Sequence, residues 1–264
     1  MDATTRWREL LERRDAEVPL DEAALLIAAH ANPTLDVAAQ LARLDDLAAR
    51  VDEASTDGVC RLLFETLGLR GNRKHYDDPR NSFLDQVLDR RLGIPISLSV
   101  LLIEIGRRCG LALEGVGMPG HFLVRDTGSP DLLIDAFAGG QRLDHAACQR
   151  LLQAIGGPDI SLVPTMLAPA GRRSTLARML ANLDHVYRGG RADVRSLLWV
   201  TRLRVSIPEL SVAERASLAN GLADLGCYSE AADLLDELAA DSAFDDEIVD
   251  RLRTRSTAVR ARLN

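Results

Sequence analysis

Several things are scarce in this sequence, and each shortage excludes a class of protein. The 264 residues include only four cysteines, which form no CxxC unit, so neither a disulfide framework nor a zinc site is indicated. Positive charge is in deficit, because the formal net charge is −7, which argues against a nonspecific binder of nucleic acid or anionic membrane. No apolar run approaches membrane-spanning length, and the first residues lack the apolar segment of a signal peptide. We therefore expect a cytoplasmic protein with no nucleic-acid or membrane partner, metal or cofactor.

What the sequence does contain is the composition of an ordinary folded protein, with 47% apolar and 27% charged residues. A chain of this length buries a sizeable core in one large or two small domains. Its patterns predict an N-terminal helical region over 1–70, a mixed α+β core over 71–156, and a second helical region over 174–264. Between them, Pro158, Pro164 and Pro169 among glycines indicate a linker over 157–173.

The core is organised around a predicted buried helix. Pro95 suits its first turn, where the missing N–H would have no partner, and the run 98–105 is apolar on nearly every side. Arg107 and Arg108 favour the negative end of the helix dipole, and Gly110 suits the left-handed position that follows. The helix should therefore end near Cys109.

Local signals also predict the elements that precede this helix. Asp21 should cap a helix that continues through Ala29, within a region that is helical in rhythm. The residues Ser82 to Asp85 fit a capping box for a helix that ends at Gly93. Between them, the polar stretch 71–79, GNRKHYDDP, is typical of a loop.

A predicted hairpin follows the central helix, after a strand over 111–117 and a type II turn from Met118 to His121. Together the three strands form an antiparallel meander on the helix. In the hairpin, HFLVR and DLLID pair symmetrically about Gly128, which sets His121 opposite Asp135 and Arg125 opposite Asp131. Directly opposed Cβ atoms lie roughly 4.5–5.5 Å apart, near enough for a carboxylate to hold an imidazole as in a catalytic dyad.

A degenerate repeat is visible in the last third of the chain. Tyr187 and Pro208 have the spacing of the tyrosine and terminal proline of a tetratricopeptide repeat, and the stretch 226–231 matches the middle of a second copy. We therefore predict helical hairpins of tetratricopeptide type in this region.

The stretch 71–125 carries a dense pattern, GNxxxYxDPxNSxLxxVLxRRxGIPxSLSxLxxEIxRRxGLxxEGVGxPGHFLVR, and is followed by a strand that ends in Asp135. Together with the repeat-like helices, this pattern resembles the SirB-type transglutaminase-like proteins over most of the chain. The resemblance implies an α+β, cysteine-protease-like fold, with the central helix packed on a small antiparallel sheet. In active enzymes of transglutaminase-like type a G-x-C at the helix start precedes a His strand and an Asp strand. His121 and Asp135 match this pattern, whereas the cysteine position falls on Pro95.

Three hypotheses follow for function. The first is a non-catalytic binding or regulatory protein that has lost the nucleophile and holds a peptide or protein partner in a groove. The second is a hydrolase or acyltransferase in which Ser97 acts with His121 and Asp135, although a hydroxyl there often bonds within the first helical turn. The third is a helical-repeat scaffold with an incidental meander. The groove of the first hypothesis would be formed by Tyr76, Asn81, Ser82, Pro95 and Gly120.

Overall fold

The structure is a computed structural model that describes residues 2–189, 193–208, 210–240 and 245–263. The chain divides into two compact units, residues 1–182 and 183–264. The four regions suggested by the sequence stay a prediction, since this division cuts the chain at one place only. None of the described helices combines the length and the apolar character needed to cross a lipid bilayer.

The first unit begins with helices whose apolar faces are buried. They are α1 (Ala3–Leu11), α2 (Leu20–Ala31), α3 (Val37–Ala48) and α4 (Thr56–Cys60), the last of which continues as a π-helical stretch, Arg61–Thr66. The predicted cap of α2 is wrong. Pro19 occupies the N-cap, and Asp21 lies in the first turn, where its buried carboxylate accepts hydrogen bonds from Arg107 and Arg108.

Helices α5 (Leu84–Arg90) and α6 (Pro95–Arg108) follow, and α6 has the predicted limits to within a residue. The capping box predicted for α5 is not formed, because Phe83 occupies the N-cap and Ser82 closes a 3₁₀ turn, Pro79–Ser82. The end of α5 also differs from the prediction. Arg91 adopts the left-handed conformation (φ 58°), and the chain then enters strand β2 (Leu92–Gly93), which pairs in parallel with β1 (Arg70–Gly71).

A five-stranded antiparallel sheet packs on α6, in place of the three-stranded meander that the sequence suggested. Its spatial order is β6-β5-β4-β3-β7. The strand β7 arises from the stretch predicted as a linker and pairs with the edge of β3. The strands are β3 (Leu113–Val116), β4 (Leu123–Asp126), β5 (Leu133–Asp135), β6 (Gln141–Leu143) and β7 (Pro169–Ala170).

The hairpin of β4 and β5 has a register that differs from the predicted one by two residues. Val124 lies opposite Ile134, not Leu132, and Arg125 lies opposite Leu133, not Asp131. Strand β4 continues through Asp126, one residue beyond the predicted strand end, and the side chain of Asp126 accepts a hydrogen bond from the amide of Gly128 (2.9 Å) within the turn. The predicted ion pair is therefore lost. Asp131 is exposed, and Arg125 Nη2 donates to the carbonyl oxygen of Leu167 at 2.7 Å.

Two long helices complete the first unit, α7 (His145–Gly156) and α8 (Arg172–Arg188), of which α8 continues into the second unit. The second unit is helical throughout its described residues. Its helices are α9 (Val194–Val205), α10 (Val212–Asp224), α11 (Tyr228–Ala239) and α12 (Asp246–Arg260). The last three share an apolar core to which Leu222, Leu235 and Leu252 contribute.

Candidate functional site

The turn before β4 places His121 just before the start of this central strand of the sheet. Gly120 has a φ of 70°, which a side chain disfavours, and the amide of His121 donates to the carbonyl of Met118 at 3.0 Å. These are the features of the type II turn that the sequence predicts. Asp135 ends β5, two residues away from the position directly opposite His121.

Because the register error is an even number of residues, His121 and Asp135 still share a face and their side chains meet. Nε2 of His121 lies 3.0 Å from Oδ1 of Asp135. The same oxygen accepts the amides of Phe137 (2.9 Å) and Ala138 (3.1 Å), so the carboxylate is fixed by three donors. Both side chains are buried, each at 7% exposure.

The pairing sets the tautomer of the imidazole. An ionised carboxylate only accepts hydrogen bonds, so Nε2 carries a proton and Nδ1 keeps its lone pair when the ring is neutral. Nδ1 makes no hydrogen bond with any residue that the structure describes. The ring of His121 also meets the ring of Phe137 edge to face, with centroids 6.0 Å apart. The site therefore presents one oriented ring nitrogen that is available to a ligand.

The start of α6 offers no group to that nitrogen. Pro95 stands at the first helical position, and its side chain has no reactive atom. Ser97 is fully buried, donates to the carbonyl oxygen of Asn81 at 2.6 Å and accepts the amide of Ile94 at 3.1 Å. Ser99 is also buried, 3.4 Å from the carbonyl oxygen of Phe122. The structure therefore brings His121 and Asp135 together but leaves Ser97 bound to the backbone.

The thiols of the first unit are poorly suited to nucleophilic attack, which requires the thiolate. Burial raises the pKa of Cys60 to about 11. Burial also raises the pKa of Cys109, which lies at the far end of α6. The pKa of Cys148 is raised first by burial and then by Asp144 and Asp135. No group of three metal-ligating side chains occurs in the part of the chain that the structure describes.

The loop over 71–82 is built on two buried asparagines. Asn81 donates to the carbonyl oxygens of His75 (2.7 Å) and Tyr76 (3.0 Å), and it accepts from Asn72 at 3.0 Å. Of the predicted groove residues, Asn81, Ser82 and Pro95 are thus buried, whereas Tyr76 and Gly120 are exposed. A pocket of about 570 Å³ opens on the loop and includes Tyr76; its walls are Asn72, Lys74, His75, Tyr76, Asp77, Asp78, Arg80, Arg90 and Leu92.

Three further residues contact this site and were missed from the sequence. The ring of Phe137 meets His121 and Tyr76 edge to face, and Arg73 Cζ lies 4.9 Å from its centroid. Arg178 donates through Nη2 to the carbonyl oxygen of His121 at 2.9 Å. For Phe137 the sequence offered one signal, its position two residues beyond Asp135. Nothing local marks Arg178, which lies outside the predicted core.

Comparisons with known proteins agree on one family for this chain. The model of the transglutaminase-like superfamily matches residues 29–181. A UPF0162 protein of Xylella fastidiosa (strain 9a5c) is 42% identical over 196 residues, 69% of each chain. A UPF0162 protein of Pseudomonas aeruginosa is 31% identical over 216 residues, 79% of each chain. Human F-box only protein 21 is 34% identical over 136 residues, 48% of this chain and 21% of that protein. No solved structure matches. Because the matched segment covers more than half of the chain and agrees with the observed α+β fold, the chain belongs to the transglutaminase-like superfamily.

Proposed function

We propose that this chain is a non-catalytic member of its superfamily, of SirB type, that binds a peptide or protein partner beside His121. One observation carries the proposal: the His121–Asp135 pair is complete, yet Pro95 stands where the enzymes place cysteine, and Ser97 is bonded to the backbone. A dyad without a nucleophile cannot form a covalent intermediate. It still orients an imidazole for recognition.

The imidazole suits recognition because of its surroundings. Nδ1 accepts a hydrogen bond from an N–H or O–H group, which backbone amides of a peptide supply. The adjacent rings of Phe137 and Tyr76, which meet edge to face, provide an apolar surface, and Tyr76 is 42% exposed. Aromatic side chains with a polar tip are frequent anchors at interfaces. A peptide segment is therefore the ligand class that the site fits best.

The second unit is proposed to contribute helical hairpins of tetratricopeptide type. The positions that align between the two predicted copies are all buried, as a stacked repeat requires. They are Leu183, Val200 and Leu203 in the first copy and Leu218, Leu235 and Leu238 in the second.

The proposal is tested by combining activity-based labelling with peptide selection on the full chain. We expect fluorophosphonate and iodoacetamide probes to give no labelling that depends on His121, and Ser97→Ala to leave labelling unchanged. Peptides selected on the immobilised chain from a random library should bind His121→Ala about tenfold more weakly. His145→Ala, on α7, is the matched control and should bind normally. Labelling of Ser97 that is lost in His121→Ala would establish the hydrolase instead.

A further inference from the structure

A half-buried guanidinium next to the dyad has no ion-pair partner among the described residues. Arg178 donates through Nη2 to the carbonyl oxygens of His121 (2.9 Å) and Met118 (3.1 Å), and its Cζ lies 5.4 Å from the centroid of Phe122. Its Nη1 and Nε make no hydrogen bond within the described chain, and neither is fully enclosed. The protein therefore holds these N–H groups in place without forming hydrogen bonds to them.

A second cation reaches the same surface from the loop. Arg73 is exposed and lies over Phe137, the ring that also contacts His121. Tyr76 connects the two cations, since its ring contacts Phe137 and its phenol is close enough to Arg178 for each group to shift the pKa of the other. Arg73 and Arg178 therefore border the face that carries the imidazole.

The charges around this face are unbalanced. Arg73, Lys74 and Arg178 form no ion pair with any residue that the structure describes, whereas Asp78 on the same loop is already paired with Arg80 and Arg90. Two carboxylates oppose the three cations: that of Asp77, which is exposed, and that of Asp135, which is bound to His121. The face is thus locally positive in a protein whose formal net charge is −7.

Partial burial should make the guanidinium of Arg178 attract an anion. Burial lowers the pKa of Arg178, against a smaller upward effect from Tyr76, because no carboxylate offsets the lost hydration. Removing a charge from water is compensated when an opposite charge forms hydrogen bonds with it, and a hydrogen bond between a guanidinium and a carboxylate is strengthened by both charges.

We propose that the partner segment held at this face is acidic, with a carboxylate side chain that accepts a hydrogen bond from the free Nη1 or the free Nε of Arg178. The inference rests on the proposed binding function and specifies its ligand chemistry. Arg73 adds a longer-range attraction, and the rings of Tyr76 and Phe137 contact the residues that flank the acidic one. A peptide is favoured over a free anion because the aromatic surface lies next to the cations.

The experiment compares two pools of random peptides on the immobilised full chain, one with a fixed central glutamate and one with a fixed central glutamine. We expect the glutamate pool to be retained about tenfold more strongly, with a preference that weakens as salt rises. Arg178→Gln should abolish the preference, and Arg178→Lys should restore part of it. Arg50→Gln is the control, because Arg50 is exposed, carries the same charge and forms no ion pair within the described part of the chain.

A second variant guards against misfolding of Arg178→Gln. A Cβ at Gly117 would lie 2.6 Å from Arg178 Nη1, the end of a flexible side chain, so Gly117→Ala should displace the guanidinium and keep the fold. This variant should lower the preference for the glutamate pool, whereas its Tm should stay near that of the parent. If both pools bind and are retained equally, this inference alone is overturned. It is also overturned if the preference for the glutamate pool survives Arg178→Gln or is lost in Arg50→Gln. Retention of neither pool overturns peptide binding itself, and direct binding of inorganic phosphate in that case would indicate a small-anion site.

Discussion

At the scale of single residues, Asp135 organises the candidate site. One of its oxygens receives the imidazole and two backbone amides, so the same atom orients His121 and fixes the chain after β5. Because the carboxylate is buried, the loss of any of these hydrogen bonds would destabilise the fold. The pair therefore supports the local fold as well as any ligand.

We expect Asp135→Ala to lower the free energy of unfolding by about 2–3 kcal/mol, because three donors lose their acceptor. Urea denaturation followed by circular dichroism measures the change. Asp131→Ala, on the exposed turn of the same hairpin, should stay within about 0.5 kcal/mol of the parent. Equal losses for the two variants would mean that the bonds to Asp135 contribute little.

At the scale of elements, the start of α6 and the 71–82 loop hold each other in place. Ser97 Oγ joins the carbonyl of Asn81 to the amide of Ile94, so the hydroxyl that resembles a nucleophile acts as a cap. Asn81 in turn holds the carbonyls of His75 and Tyr76. The loop that carries Tyr76 is thus anchored by groups beneath it.

Ser97→Ala should cost about 1–2 kcal/mol of stability, since a buried carbonyl and a helix amide both lose a partner. Chemical denaturation measures this loss. Ser99→Ala is the control and should cost less, because its hydrogen bond is longer, at 3.4 Å. A variant as stable as the parent would show that Ser97 is not a cap.

Asn81→Ala should release the loop. We expect the amide of His75, which donates to Asn72 at 3.1 Å, to exchange with solvent at least about tenfold faster, because Asn72 loses its support. Hydrogen exchange followed by mass spectrometry measures the rate. Arg80→Ala, which removes an exposed ion pair from the same loop, should leave it nearly unchanged. Matching rates in the two variants would contradict the anchoring role.

At the scale of the molecule, a buried charge network joins the N-terminal helices to the end of α6. Asp21 on α2 accepts from Arg107 (3.2 Å) and Arg108 (2.7 Å), and the fully buried Glu104 accepts from the same two arginines. Burial raises the pKa of Asp21, but hydrogen bonds from Arg108 and the amide of Glu22 outweigh it and leave that pKa lowered. Burial and the charge of Asp21 raise the pKa of Glu104.

The lowered pKa of Asp21 predicts a pH-dependent effect. A carboxylate with a folded-state pKa below its unfolded value of 3.8 contributes stability above that value and loses it as pH falls through the folded pKa. Asp21→Asn should therefore cost about 3 kcal/mol near pH 7 and much less near pH 2. Urea unfolding at both pH values measures the difference, with the exposed Asp46→Asn as control. A cost that does not shrink in acid would contradict the lowered pKa.

The sequence by itself determined the features that depend on neighbouring residues. The limits of α6 follow from Pro95, the apolar run and the arginine pair, and the turn before His121 follows from a proline and a glycine. Alternation along strands put His121 and Asp135 on one face, and this survives the register error because parity is a local property. The ordered motif over 71–125 was enough to indicate the family.

The tertiary structure decided what depends on distant residues. The pairing of β7 with β3, the burial of Asn81 and the approach of Arg178 to His121 all join parts of the chain that no local pattern connects. Propensity and periodicity describe the chain over a few residues, whereas Arg178 reaches the carbonyl of His121 only because packing brings α8 against the turn 57 residues before it.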